Sequence, residues 1–307
     1  MNVKKSEKFI NSNETLISKK IETDKLAEML LDTEFFDMST RMFQSGKFIK
    51  TIDQNGKTLI FDSYKSGIRH EPYTNYCERR KIYARFLNNV PSIIDKYPNH
   101  KWYSVTLTIK NCHVTEFDKY INFLNASFKR LIVGKKFSRY FHQYGLEYGD
   151  GGYFKRIEIS KYPSDEMICR PHLHILFHLP KSCSFSQHYI SKNTLINLWQ
   201  SAISNIVDKP SVSIKKIDFK DINEQISNLA EYASYITKHD IDLLINKDFT
   251  TEYIKQTHKK NFISKSGTLK HITDKIKNNN DMTIYEDDIK MFKYQYSSSK
   301  YKILERA

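Results

Sequence analysis

Arg170-Pro171-His172-Leu173-His174-Ile175-Leu176-Phe177-His178 reads as a β-strand. Successive side chains of a strand point to opposite faces. His172 and His174 therefore share one face, roughly 7 Å apart along the strand. Leu173, Ile175, Phe177 and Leu179 point the other way, into a core. Two imidazoles side by side on a sheet suit one divalent metal. A His-x-His pair is by itself also a common structural pattern, so the reading turns on what accompanies it.

A third ligand is sought on a neighbouring strand. Glu158, in Arg156-Ile157-Glu158-Ile159-Ser160, lies opposite the apolar face of Ile157 and Ile159. His178 shares the parity of the other histidines, but it lies roughly 13 Å beyond His174 and is left out. Two histidines and one carboxylate with open positions suit Mg²⁺ or Mn²⁺, the nitrogens favouring Mn²⁺.

Downstream, Leu229-Ala230-Glu231-Tyr232-Ala233-Ser234-Tyr235-Ile236-Thr237-Lys238 reads as the middle of a helix from about Asp221 to Leu244. Ile222, Ile226, Leu229, Ala233 and Ile236 recur at three- and four-residue steps and form a stripe. Glu231, Tyr235 and Lys238 fall at about 0°, 40° and 340° on the same wheel, opposite that stripe. A carboxylate, a phenol and an ammonium thus share an accessible face, with Tyr232 and His239 on its flank. Each alone is ordinary helix surface, and the combination is what points to chemistry.

Around these segments the chain alternates strands and helices. Strands are expected at Trp102 to Ile109, Tyr153 to Ser160, His172 to Leu179 and Val212 to Phe219. Amphipathic helices are expected at Thr115 to Val133, capped by Thr115, and at Leu195 to Val207, with Trp199 inward. A basic helix covers residues 77 to 96. Asn55-Gly56 signals a hairpin within Lys47 to Phe61. The loop Lys161 to Arg170 is too short for a helical crossover, so its strands pair antiparallel. The expected fold is α+β, an antiparallel sheet with packed helices. Three regions follow: a partly mobile N-terminal region at 1–74, a catalytic domain at 75–245 and a polar extension at 246–307.

Lys and Arg outnumber Asp and Glu by 49 to 35, giving a formal charge of +14. This excess favours a polyanionic partner. Lys129, Arg130, Lys135, Lys136 and Arg139 cluster with Phe137, Tyr140 and Phe141, a mixture suited to strand backbone contact and base stacking. Cys77, Cys112, Cys169 and Cys183 form no Cys-x-x-Cys pair, so free thiols in a reducing cytoplasm are expected. The N-terminus lacks a signal-peptide pattern, and no apolar run reaches ~18 residues.

These motifs resemble those of the HUH endonucleases, and within them the rolling-circle replication initiators (Rep proteins) of small bacterial plasmids. His172-Leu173-His174 resembles the family's His-hydrophobic-His motif, Ser104-Val105-Thr106-Leu107-Thr108 its first strand motif, and Tyr235-Ile236-Thr237-Lys238 its Tyr-x-x-Lys motif, in the family's order. The likeness covers about residues 75 to 270. Many relatives carry clustered cysteines ahead of the first motif, where this chain has Cys77 alone. The resemblance implies metal-dependent, sequence-specific nicking of plasmid origin DNA, single-stranded or extruded as a hairpin. Tyr235 would be the nucleophile, leaving a 5′-phosphotyrosine and a free 3′-hydroxyl. Lys238 would support the phenolate or phosphate, and Thr106 and Thr108 would support the site. Glu231, four residues before Tyr235, resembles the plasmid group in which a glutamate replaces a second tyrosine and activates water. Tyr232 is read as a bystander. Host helicase and DNA polymerase are implied as partners. The competing readings are a transposase or relaxase of the same superfamily, and a non-catalytic DNA-binding regulator whose metal is structural.

Overall fold

Strand β6 (Asp165–Pro180) carries the His-x-His stretch and runs through the middle of a six-stranded antiparallel sheet. The computed structural model describes residues 14–54, 57–133, 151–162, 165–181, 190–204, 210–237, 246–274 and 290–306. The sheet order is β7 (Val212–Ile217), β3 (His100–Thr108), β6, β5 (Gly152–Tyr162) and β8 (Ile263–Gly267), and β4 (Cys112–His113) also pairs with β6. Every pairing is antiparallel, and for β5 and β6 the short connection requires it. The α+β expectation holds. β5 and β6 run further into the expected 161–170 loop than the sequence suggested.

Both faces of this sheet are covered. On one, Trp102, Phe154 and Leu176 pack with Phe86 and Val90 of α3 (Pro72–Lys96). Leu229, Ala230, Ala233 and Ile236 of α6 (Ile222–Ile236) join the same cluster. The stripe read from the sequence is the buried side of that helix from Ile226 onward, while Ile222 in its first turn is exposed. On the other face, Tyr103, Val105, Leu107, Ile157, Leu173, Ile175 and Phe177 are buried. There α4 (Phe117–Val133) packs against β6, and α5 (Lys192–Ala202) packs against both α4 and β7. Trp199 faces inward as expected, and its indole N–H donates to the Thr108 carbonyl at 2.7 Å. The cap of the first turn differs: the His113 ring accepts from the Thr115 N–H, ahead of a short 3₁₀ turn at Val114–Glu116.

Phe154 is fully buried and meets Phe86 edge to face, with ring centroids 5.3 Å apart. Such a residue has no room to collapse around a cavity. Phe154→Ala is expected to cost about 3–5 kcal/mol, read as a lower urea midpoint.

His178 is also enclosed. Its ring packs against Trp102, Tyr97 and His100, and its Nδ1 lies 2.8 Å from the Thr268 hydroxyl. Burial first, and then the neighbouring His100, push its pKa down to about 3. A neutral, packed ring is the role it fills.

The contacts group the chain into two units, one of residues 79–241 with 252–276, the other of residues 1–78, 242–251 and 277–307. The sequence had suggested breaks near 74 and 245. In the second unit, α1 (Glu14–Leu30) and α2 (Phe36–Gln44) precede a four-stranded sheet. Its strands are β1 (Phe48–Gln54), β2 (Lys57–Ser63), β9 (Lys290–Ser297) and β10 (Lys300–Arg306), in the order β10-β9-β1-β2. The expected hairpin strands pair, with Gln54 opposite Lys57, and Asn55 and Gly56 lie outside the described residues. β9 and β10 come from the tail read as a polar extension. Their Tyr294 and Tyr301 are fully buried with Leu16, Ile49 and Tyr73. Gly46 adopts φ +68°, and a Cβ there would lie 2.7 Å from the Tyr73 ring. Among the described residues, Cys77, Cys112 and Cys169 are free thiols, and no helix is long and apolar enough to cross a membrane.

Candidate metal and tyrosine site

The strand register assembles a donor cluster. Glu158 on β5 stands directly opposite His172 on β6, and Thr106 on β3 stands opposite His174. Paired residues on neighbouring strands share a face. One Glu158 oxygen lies 2.5 Å from His174 Nε2 and 3.7 Å from His172 Nε2. The two Nε2 atoms are 3.1 Å apart. All three donor groups converge within 4.8 Å, the one such cluster found among the described residues.

The other ring nitrogens are held from behind. His172 Nδ1 meets the Arg170 carbonyl at 3.0 Å. His174 Nδ1 meets the Thr106 hydroxyl at 3.2 Å. Metal-binding histidines are commonly oriented by such partners. Burial opposes ionisation of Glu158, but hydrogen bonds to His172 and His174, with their charge, outweigh it. The carboxyl is held well below the usual carboxylate range. A carboxylate and two imidazole nitrogens converging in one partly buried spot are a donor set that fits a divalent cation.

Helix α6 lies on the same sheet face. Its buried side packs against Trp102, Phe154 and Leu176, which share strand parity with Thr106, Glu158 and His174. The Asp221 carboxylate caps its start by accepting from the Glu224 N–H at 2.9 Å. Its described part runs to Ile236, where the Thr237 hydroxyl bonds the carbonyls of Ala233 and Ser234, and the rest of the expected helix, 238–244, lies outside the described residues. Glu231 and Tyr235 are both exposed, Tyr235 at 55%. Lys238 and His239 lie outside the described residues.

Tyr232 points inward, and its hydroxyl bonds the Ser104 hydroxyl. Burial first pushes its phenol up to about 12; the Ser104 bond opposes this, and the charges of Glu158 and Tyr235 add to it. Tyr232 thus sits within electrostatic reach of both the donor cluster and Tyr235. Arg79 of α3 donates to the Ser234 carbonyl at 3.0 Å, placing a cation at the helix C-terminus beside Tyr235. Ser104 was read only as part of a strand motif, and Arg79 only as part of a basic helix. Their side-chain roles depend on contacts across 128 and 155 residues of sequence, which local pattern does not carry.

The basic cluster lies elsewhere. Lys129 and Arg130 sit on α4, across the sheet from the donor cluster. Lys129 is exposed. Arg130 donates to the Ala202 carbonyl at 2.8 Å and to Ser127 at 2.7 Å, and lies over the Phe123 ring. It serves helix packing as much as any ligand. Lys135, Lys136 and Arg139, with Phe137, Tyr140 and Phe141, lie outside the described residues.

Comparison with known proteins identifies the family. The replication protein family matches residues 65–304. A protein rep of Staphylococcus aureus is 27% identical over 187 residues, covering 60% of this chain and 75% of that protein. A protein rep of Streptococcus pneumoniae serotype 2 (strain D39 / NCTC 7466) is 23% identical over 252 residues, covering 79% of this chain and 73% of that protein. No solved structure matches the chain. The family match runs through the donor cluster and α6 and ends in β10, and on that extent the chain belongs to the replication protein (Rep) family of rolling-circle plasmid initiators.

Proposed function

We propose that this replication protein nicks and rejoins one strand of its plasmid origin through Tyr235. The observation that supports this most is the placement of the tyrosine helix on the sheet face that gathers Glu158, His172 and His174. These three residues would hold Mg²⁺ or Mn²⁺. Bound there, the cation supplies positive charge against the phosphate oxygens.

The protein's own groups carry the rest. The Tyr235 oxygen forms a bond to phosphorus, and the bond from phosphorus to the 3′-oxygen breaks. The phenolic proton leaves as the new bond forms, and the departing 3′-oxygen takes up a proton. A 5′-phosphotyrosine and a free 3′-hydroxyl result, the hydroxyl serving as primer. Arg79 fixes the end of the helix that presents Tyr235, and Lys238 would stabilise the phenolate. Tyr232, held by Ser104, positions the helix against the sheet. Host helicase and polymerase would extend and unwind from the nick.

In the closing step Glu231 would take a proton from water, whose oxygen then replaces the tyrosine oxygen on phosphorus. Glu231→Ala is expected to nick normally, because Tyr235 and the donor cluster are untouched. Release by water should slow by about 10²–10⁴-fold, seen as a long-lived adduct on denaturing gels. A Glu231→Ala protein that releases as fast as wild type would remove Glu231 from this role. The function as a whole is tested by incubating the protein with supercoiled origin plasmid and Mn²⁺. Open circles bearing covalent protein support it. Unaltered plasmid with tight origin binding would point to a regulator instead.

A further inference from the structure

Among the described residues, Lys155 is a cation buried without a countercharge. It lies on β5, on the sheet face opposite the donor cluster, and only 3% of it is exposed. Its ammonium donates to the Asn125 side-chain oxygen at 2.7 Å and sits 4.8 Å over the Phe128 ring. Among the described residues it has no carboxylate partner. Burial alone lowers its pKa to about 8. A buried charge paired only with an amide and a ring costs stability.

Lys155 also lines a cavity of about 970 Å³ between α3, α4 and β8. That is the upper size range of ligand sites. Lys96, Lys129 and Lys270 line it too, all exposed at its edge. No described lining residue is acidic. The lining residue His271 pairs with Asp274, which also pairs with Lys265. The aromatic side chains of Tyr97, Phe128 and Tyr153 contribute flat apolar surface. The turn that closes one side is fixed by Gly267, at φ +58°, where a Cβ would strike the Gly151 carbonyl.

We propose that this groove is a second, non-catalytic DNA-binding site, in which Lys155 and its flanking lysines hold backbone phosphates. A phosphodiester supplies the missing countercharge, and lysines beside aromatic rings match a charged backbone with stacking bases. The site rests on the reading that the protein acts on DNA. Lys155 lies on the sheet face opposite the donor cluster, so the groove would hold the origin away from the nick.

The test uses the full chain, a fluorescent origin duplex and a fluorescent single strand, with binding read across a salt series. Lys96→Gln/Lys270→Gln is compared with Lys25→Gln/Lys300→Gln, which removes equal charge elsewhere. The groove variant is expected to reduce the slope of log affinity against log salt by about 1.8 on duplex or about 1.4 on single strand. Which DNA shows the loss identifies the strand form held. The control variant is expected to keep the wild-type slope. Equal slopes in wild type and groove variant, or equal loss in both variants, would overturn the site.

Lys155→Met adds a stability readout. Removing a buried unpaired charge should leave the melting temperature at or above wild type, while the rise in melting temperature on adding oligonucleotide shrinks. A lower melting temperature with the full oligonucleotide shift would make Lys155 purely structural and overturn its role. Nicking is followed in the same samples. An unchanged slope in protein that nicks overturns the groove alone. A reduced slope in protein that does not nick supports the groove and overturns the nicking reading.

Discussion

Tyr235→Phe is expected to abolish covalent capture of nicked DNA, a loss of roughly a thousandfold or more in cleavage rate. The ring stays and only the attacking oxygen goes. Tyr235 is more than half exposed, so stability should change by no more than about 0.5 kcal/mol. Origin binding should persist, which separates loss of chemistry from loss of fold. Tyr232→Phe is the matched comparison. It deletes the bond to Ser104, at a cost of about 1 kcal/mol, yet it should still form adducts. Burial that pushes the Tyr232 phenol up to about 12 makes it the poorer source of phenolate at neutral pH. Adducts that survive in Tyr235→Phe and vanish in Tyr232→Phe would move the nucleophile one turn back along the helix.

The contrast between these tyrosines shows what a sequence carries. Helical periodicity separates an exposed Tyr235 from a flanking Tyr232, because the apolar stripe defines which side is buried. Strand alternation likewise places His172, His174 and Glu158 on a single face, and the register then brings them together. What periodicity lacks is the identity of distant partners. Ser104 and Arg79 meet α6 only through the tertiary fold. The same gap explains the tail. Residues 290–306 look polar and weakly patterned, yet Tyr294 and Tyr301 are fully buried and, with Tyr296 beside them, seat β9 and β10 against a small core. Lys155 was invisible for a related reason. A lysine in a strand reads as surface, and only the packed sheet reveals that it is enclosed.

His174→Ala should be nearly as damaging as loss of Tyr235. His174 Nε2 makes the short contact to Glu158, and its other nitrogen rests on Thr106, so it joins three strands at one point. Its removal leaves two donors where a divalent cation needs more. Mn²⁺ binding by calorimetry should fall below detection, and cleavage should fall with it. Chelation of wild type should give the same cleavage loss, reversed by added Mn²⁺. Thr106→Val offers a graded version. It keeps all three donors and removes only the support behind His174, so Mn²⁺ affinity should drop by about 10–100-fold. Excess Mn²⁺ should then restore cleavage in Thr106→Val but not in His174→Ala. Two further outcomes discriminate. Cleavage by wild type that is indifferent to chelator would leave Glu158, His172 and His174 as a structural ion-pair cluster. Binding of Mn²⁺ that survives His174→Ala would place the cation on other donors, and the register argument from β5 and β6 would fail with it.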